Sequence, residues 1–292
     1  MLVRLLRPLA WLPLWLYHAL GTLLGWLAWV LDPAYRRRLA ENLGQSKLAK
    51  NGVDYNRLLR RSVSELGKAA LEMPVHWLRP AQRVADLVTE RRGWEHVEAA
   101  LARPEPIIFV SPHLGGIEAC GIHISMSIDR QLAALYRPPK IKSLEPLMLA
   151  SRDREKGLAA PANAKGVRLL LKTLKAGQTV YLLPDQAPGG GDGVWAPFFE
   201  RPAYTMTLLP RLARQFNATV LFCFAERLGW GRGYRLHVLP MQCEFDGDAA
   251  ADAARMNAQI ENLIRLAPTQ YLWSYNRYKQ PAGAPAAPEL RT

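Results

Sequence analysis

The chain is poor in cysteine, and what it has forms no pattern that chemistry would use. Only Cys120, Cys223 and Cys243 occur in 292 residues. Their odd number and wide spacing exclude a disulfide framework and a C-x2-C zinc site. All three stand in apolar surroundings and read as reduced core residues of a cytoplasmic domain. Cys120 is close to His113, but its apolar helical segment argues against a covalent nucleophile. His123 completes no metal site with His113, and His76, His96 and His237 are isolated, so no metal is expected. The chain lacks a G-x-S-x-G nucleophile elbow and a G-x4-G-K-[ST] phosphate loop. Gly189 to Gly193 reads as a mobile loop rather than a nucleotide cradle, and no segment repeats. Acid is also in deficit: 25 Asp and Glu face 38 Lys and Arg, a net charge of +13. Such an excess suits nucleic acid or an anionic membrane. There is no zinc-finger spacing, RNP-type strand or glycine-basic repeat, so no nucleic-acid partner is expected.

What the chain does have is a hydrophobic run near its start. Leu9 to Leu31 contains no formal charge and four tryptophans, which exceeds the roughly 20 apolar residues that cross a bilayer as a helix. It is too long for a signal-peptide core and no small-residue cleavage site follows it. Arg4 and Arg7 precede the run; Arg36, Arg37, Arg38, Lys47 and Lys50 follow, which places the bulk of the chain in the cytoplasm. Pro13 and His18 interrupt the run, so a helix lying in the interface is the alternative, and a buried helix of a soluble domain is the plain one. Residues 36–92 hold thirteen Lys/Arg against six Asp/Glu, a basic surface suited to anionic headgroups.

The feature closest to chemistry is Ser111-Pro112-His113-Leu114-Gly115-Gly116-Ile117-Glu118. Ile107 to Val110 reads as a buried strand, Pro112 ends it, and Ile117 to Ser125 continues as a helix. Five residues of continuous helix would set His113 and Glu118 about 140° apart. The pair therefore meets only if His113 sits in the glycine-broken turn. A neutral imidazole there can take the proton of an attacking alcohol, with a carboxylate to hold its tautomer. The bland alternative is a satisfied histidine before a helix whose first turn carries an ordinary acid.

The remaining pattern alternates. A helix over Tyr55–Met73 ends at Pro74. Gln131–Tyr136, Thr179–Leu183, Thr219–Ala225 and Tyr234–Leu239 read as strands. Lys165–Ala176, Tyr204–Phe216 and Asp248–Leu266 read as helices. This predicts an α/β fold, a largely parallel central sheet flanked by helices, preceded by an anchor helix and basic amphipathic helices. Ligands of such folds bind at strand carboxyl ends. The expected organisation is an anchor (1–35), a basic helical segment (36–93), an α/β core (94–279) and a disordered Pro/Ala-rich tail (280–292).

Several blocks, taken in order, resemble the bacterial lipid A late acyltransferases, the lauroyl/myristoyl transferases within the lysophospholipid acyltransferase superfamily. They are the hydrophobic segment, Arg38…Glu41-Asn42-Leu43, Ser111-Pro112-His113…Glu118, Tyr136-Arg137-Pro138, and Leu182-Leu183-Pro184-Asp185-Gln186 with Ala196-Pro197-Phe198-Phe199. Thr205-Met206-Thr207, Phe224-Ala225-Glu226-Arg227 and Gln270 to Lys279 complete the set. The last block departs from the family, which often has His-Arg-Arg-Phe near Ser274-Tyr275-Asn276-Arg277-Tyr278. The resemblance implies a bacterial inner-membrane O-acyltransferase facing the cytoplasm, moving an acyl chain from an acyl carrier protein thioester to a hydroxyl of a lipid A precursor. No cofactor is implied, because a thioester is already activated. His113 is then the general base and Glu118 its orienter. Arg137 would bind a phosphate or the developing oxyanion, and Asp185 would hold Arg137 or shape the acceptor site beside Gln186. Gly115 and Gly116 would let the acyl chain or thioester approach the backbone. Two other readings stay open: transfer to another acceptor (a lysophospholipid, ornithine lipid or other glycolipid), and a membrane-tethered protein that binds acidic lipid or nucleic acid without chemistry.

Overall fold

The computed structural model describes residues 10–138 and 142–288. Arg4, Arg7, Pro8 and Leu9 at the start of the expected anchor, and Pro139 and Lys140 after Arg137-Pro138, lie outside the described residues. Helices α1 (Leu14–Leu31), α2 (Pro33–Gln45), α3 (Gly52–Leu78) and α4 (Ala81–Ala85) come first. They lead into β1 (Val88–Arg92), α5 (Trp94–Leu101), β2 (Ile107–Val110), α6 (Ile117–Ser127), β3 (Leu132–Tyr136), α7 (Glu145–Arg152), β4 (Gly157–Pro161), α8 (Ala164–Lys175) and β5 (Thr179–Leu182). The chain continues through β6 (Gly193–Phe198), β7 (Arg201–Met206), α9 (Leu208–Gln215), β8 (Thr219–Arg227), β9 (Tyr234–Pro240) and α10 (Ala249–Leu266).

Seven strands form one sheet in the order β1-β9-β8-β2-β5-β3-β4. β8, β2, β5, β3 and β4 run parallel, while β9 turns back against β8 and carries β1 with it. The expected α/β architecture with a largely parallel sheet is therefore present. Every residue of β2 and β5 is buried, as a parallel sheet covered on both faces requires. Ile108 and Val110 face a core shared with α8 and α10, whereas Ile107 and Phe109 face Ala119, Cys120 and Ile124 of α6.

Three local readings are corrected. α3 does not stop at Pro74 but runs to Leu78; the missing N–H costs one helical bond, and packing of Val75 and Trp77 into the core outweighs it. The glycine-rich loop leads into a β6–β7 hairpin, so the helix expected from Tyr204 starts only at Leu208. Its turn is Phe199-Glu200, both at positive φ, without the Asn-Gly that marks such turns. Glu261 holds it from α10, accepting the Phe199 N–H at 2.7 Å. Finally, Cys243 is exposed, unlike the other two cysteines. Between residues 281 and 288 the chain meets the hairpin, where the Trp195 indole donates to the Pro285 carbonyl at 3.0 Å.

α1 packs along α3 backbone to backbone. A Cβ on Gly67 would stand 2.0 Å from the Gly21 carbonyl oxygen, and one on Gly25 would stand 2.1 Å from that of Val63. The seam also holds charge. His18 Nε2 lies 2.7 Å from Glu72, and Arg227 at the end of β8 grips both Glu72 oxygens at 2.7 Å while reaching Glu65 at 2.9 Å. Burial pushes the Glu72 carboxyl up, but the Arg227 charge and hydrogen bonds from His18 and Arg227 outweigh that and hold it well below the usual carboxylate range. The opposite face of α1 is apolar and bare: Trp15, Leu23, Leu27, Val30 and Leu31 are all more than half exposed.

Removing one partner of a buried ion pair costs about 3–5 kcal/mol, so Arg227→Ala should lower unfolding free energy by that order in denaturant titrations of the detergent-solubilised protein. Because Glu72 is depressed, its contribution is complete above the ordinary carboxylate pKa and is lost as pH falls below it. Glu72→Gln should therefore be less stable at neutral pH yet lose less stability between about pH 5 and pH 3.

Candidate active site

The carboxyl ends of the adjacent strands β2 and β5 meet at His113. Asp185, three residues past β5, is buried and accepts twice from this one residue. The His113 backbone N–H donates to Oδ2 at 2.9 Å, and ring Nδ1 donates to Oδ1 at 2.7 Å. Burial pushes the Asp185 carboxyl up, but the facing His113 ring, both hydrogen bonds from His113 and the charge of Arg277 bring it below its ordinary value. It is therefore an anion that fixes the proton on Nδ1. The Gln186 amide nitrogen lies 3.1 Å from His113 Nε2. With the amide in this orientation it can only donate, so Nε2 is an unprotonated acceptor. The ring is part-exposed, with 22% of the side chain accessible.

Glu118 does not make the contact expected of it. Its carboxylate is turned to the guanidinium of Arg152, at the end of α7, and it opens the first turn of α6 beyond the two glycines. Burial raises its pKa, but the charge and hydrogen bond of Arg152, with the charge of His76 behind them, hold it below the usual carboxylate range. The partner of the histidine is thus Asp185, and Arg152 is the partner of the glutamate. Arg137 stands exposed just past β3 and is not held by Asp185; it has no ion pair among the described residues.

The glycines also serve a different end from the one expected. Gly115 has φ +63°, and a Cβ there would meet the Ala225 carbonyl oxygen at 2.1 Å; on Gly116 it would meet the Tyr234 ring at 2.5 Å. Their N–H groups donate to Gln270 O at 3.1 Å and Ala225 O at 2.8 Å. They let the loop press against β8 and the carboxyl-terminal segment, and neither N–H is free for a ligand.

That segment clamps the loop. Leu272 N–H donates to His113 O at 3.0 Å, Leu114 bridges Tyr271, and the Ala187 N–H donates to the Tyr275 hydroxyl at 3.1 Å. Asn42 of α2 holds the segment in turn, donating to the Trp273 and Tyr275 carbonyls at 2.7 and 2.9 Å. Arg227 reaches the Gly115 carbonyl at 3.3 Å, which joins the α1–α3 seam to the same loop.

Beside Glu118 and Arg152 lies an apolar cleft, walled by Ile122, Met126, Leu135, Tyr181 and Leu183 among others. No group of three or more His, Cys, Asp or Glu side chains that could hold a metal occurs among the described residues. An imidazole with an accepting Nε2 and an anion behind it, with an apolar cleft at Ile117, Glu118 and Leu183, is suited to activating a hydroxyl against a substrate with a hydrocarbon part. Nothing in the sequence singles out Arg152, and Arg227 and Gln270, though within the resembling blocks, carry no legible role there, because burial and pairing across helices leave no local pattern.

A family model described as bacterial lipid A biosynthesis acyltransferase matches residues 1–280. Among curated proteins, the chain is 28% identical over 278 residues to the lipid A biosynthesis lauroyltransferase of Escherichia coli (strain K12), covering 94% of this chain and 89% of the relative. It is 28% identical to the palmitoleoyltransferase of that strain (90% and 85% covered) and 23% identical to its myristoyltransferase (86% and 77%).

The hydrogen-bond pattern makes a prediction independent of turnover. Nitrogen NMR of histidine-labelled protein, with His113→Gln to assign the signal, should show His113 protonated at Nδ1 and bare at Nε2. In Asp185→Asn that preference should be lost, because a neutral amide does not fix the tautomer by charge. An unchanged tautomer in Asp185→Asn would separate the carboxylate from the ring's proton.

Proposed function

The chain belongs to the bacterial lipid A biosynthesis acyltransferase family, and from that premise we propose that it moves a fatty acyl chain from an acyl carrier protein thioester to a hydroxyl of a lipid A precursor at the membrane surface. That it is an acyltransferase follows from the family and from relatives named for this transfer. The donor, the residue roles and the membrane site are our reading. The observation that supports it most is the histidine whose Nδ1 is held by Asp185 and whose Nε2 accepts from Gln186; an apolar cleft opens at Ile117, Glu118 and Leu183.

In this scheme the acceptor hydroxyl displaces Gln186 from Nε2. His113 takes its proton as the oxygen attacks the thioester carbonyl, and Asp185 stabilises the imidazolium. The carbon–sulfur bond then breaks, and the imidazolium returns the proton to the departing thiolate. The Gly115 and Gly116 N–H groups are already engaged, so a side-chain cation must meet the developing oxyanion. Arg152, fixed by Glu118 at the cleft wall, is that cation, and Glu118 acts through it. The acyl chain lies in the cleft. Arg137, at the exposed end of β3, is placed to meet a phosphate of the acceptor.

α1 supports a site at the membrane, lying on it rather than crossing it. It runs along α3, which bears the exposed Arg57, Arg60 and Arg61, and charged groups of that kind do not enter hydrocarbon cheaply. The bare apolar face can sink into the acyl boundary while those arginines, with Arg36, Arg37 and Arg38, meet headgroups at about 1 kcal/mol each. This orientation faces the cytoplasm at the inner membrane.

His113→Ala should cut transfer by about 10²–10⁴-fold in folded protein, the range for losing a positioned base. Asp185→Asn should lower kcat by a similar order and alter its pH profile. Glu118→Gln should impair the reaction by loosening Arg152 while leaving that profile's shape intact. Mass spectrometry of lipids from cells with and without the gene supplies the decisive test. Loss of one acyl chain from lipid A supports the reading, and loss from another lipid reassigns the acceptor. Full activity of His113→Ala would remove the base from the mechanism.

A further inference from the structure

α8 carries four cations and no acid. At about 100° per residue, Lys165, Arg168, Lys172 and Lys175 fall on one narrow stripe, opposite the face on which Gly166, Leu170, Thr173 and Leu174 are buried. All four are exposed, and none has an ion-pair partner among the described residues. Many other surface cations are matched, as in Lys156–Asp129, Arg235–Glu90 and Arg255–Asp246. Local stability does not account for the stripe. Cations three and four residues apart repel one another, and Lys165 sits in the first turn, where the helix dipole disfavours positive charge.

Its position is informative. α8 follows β4, so its first turn lies at the carboxyl edge of the sheet, the edge that holds His113. The Ala162 N–H donates to the Tyr136 carbonyl at 2.7 Å, which sets this turn beside the end of β3 and the exposed Arg137. β4 is three strand spacings from β2, about 15 Å at roughly 4.8 Å each. The helix packs on β3, β4 and β5.

We propose that the α8 stripe is the docking surface for an acidic acyl carrier protein, whose carboxylate-bearing helix lies along Lys165, Arg168 and Lys172 and whose pantetheine arm crosses the carboxyl edge to His113. The inference rests on the donor assigned above. It divides the molecule's positive charge between two partners: the arginines of α2 and α3 meet lipid, and α8 meets the carrier. Exposed charges of this kind set encounter and specificity more than chemistry.

The test uses full-length enzyme in detergent micelles with one fatty acyl group presented on acyl carrier protein and, separately, on free pantetheine. Reversing Lys165, Arg168 and Lys172 to Glu should raise KM for the carrier-borne donor about tenfold or more at low salt, with kcat unchanged and the pantetheine donor unaffected. The gap should narrow as salt screens the contact. Equal KM values for variant and wild type on the carrier would overturn the docking site. So would an unchanged carrier KM with weakened binding to anionic vesicles, which would assign the stripe to lipid. A wild-type enzyme that uses neither thioester in the presence of acceptor would refute the donor assignment instead, and the docking proposal with it. Circular dichroism verifies that the exposed substitutions leave the fold intact.

Discussion

The carboxylate of Asp185 is the contact on which the site turns. One buried anion receives both the main-chain and the ring N–H of His113, so a single side chain sets where the loop sits and which ring nitrogen bears the proton. A carboxylate that accepted only from the backbone would leave the tautomer open. Burial makes the arrangement costly for the anion, and the imidazole and the nearby charge of Arg277 offset that cost. The geometry and the charge state therefore depend on each other.

Around that contact the fold closes the loop from every side. β8 presses on the glycines, the Gln270–Tyr275 segment pairs with Leu114 and the His113 carbonyl, and Asn42 ties the segment to α2. Arg227 spans the remaining gap: its guanidinium holds Glu72 on α3, which meets His18 on α1, and it also touches the Gly115 carbonyl. The helix with the bare apolar face is thus bonded through one buried cation to the backbone of the loop that carries His113. In the proposed reaction the acceptor resides in a bilayer, and such rigidity helps because exposing each CH₂ to water costs about 0.8 kcal/mol and the reacting groups must come to the lipid.

The two buried carboxylates divide the electrostatic work. Asp185 faces the His113 ring, and in the proposed reaction its negative charge stabilises the imidazolium. Glu118 faces Arg152, where it keeps a buried cation in place beside an apolar wall. Were both acids on one histidine, Arg152 would lack its counter-ion, and a buried unpaired guanidinium is costly.

Much of this was legible in the residues alone. Apolar runs identified β2 and β5, a glycine at the helix end closed α8, and Pro112 with two glycines put His113 in a turn at a strand's end; each of these signals is local, within a few residues. The ordered blocks pointed to the family and to Asp185 and Gln186 as site residues. Pairing was not legible. His113 and Asp185 are 72 positions apart, and only the adjacency of β2 and β5 makes them neighbours, whereas Glu118, five residues on, is carried away by the first turn of α6. The edge strand β1 lacks an apolar signature because only Val88 of it is buried, β4 is built of Gly, Ala and Pro around one Leu and so has little strand propensity, and the Phe199-Glu200 turn is imposed by Glu261 from another helix rather than by its own residues. The same holds for α1. Its composition announced a hydrophobic helix, but Gly21, Gly25 and Gly67 meeting across two helices decided that one face would be docked, leaving the other bare.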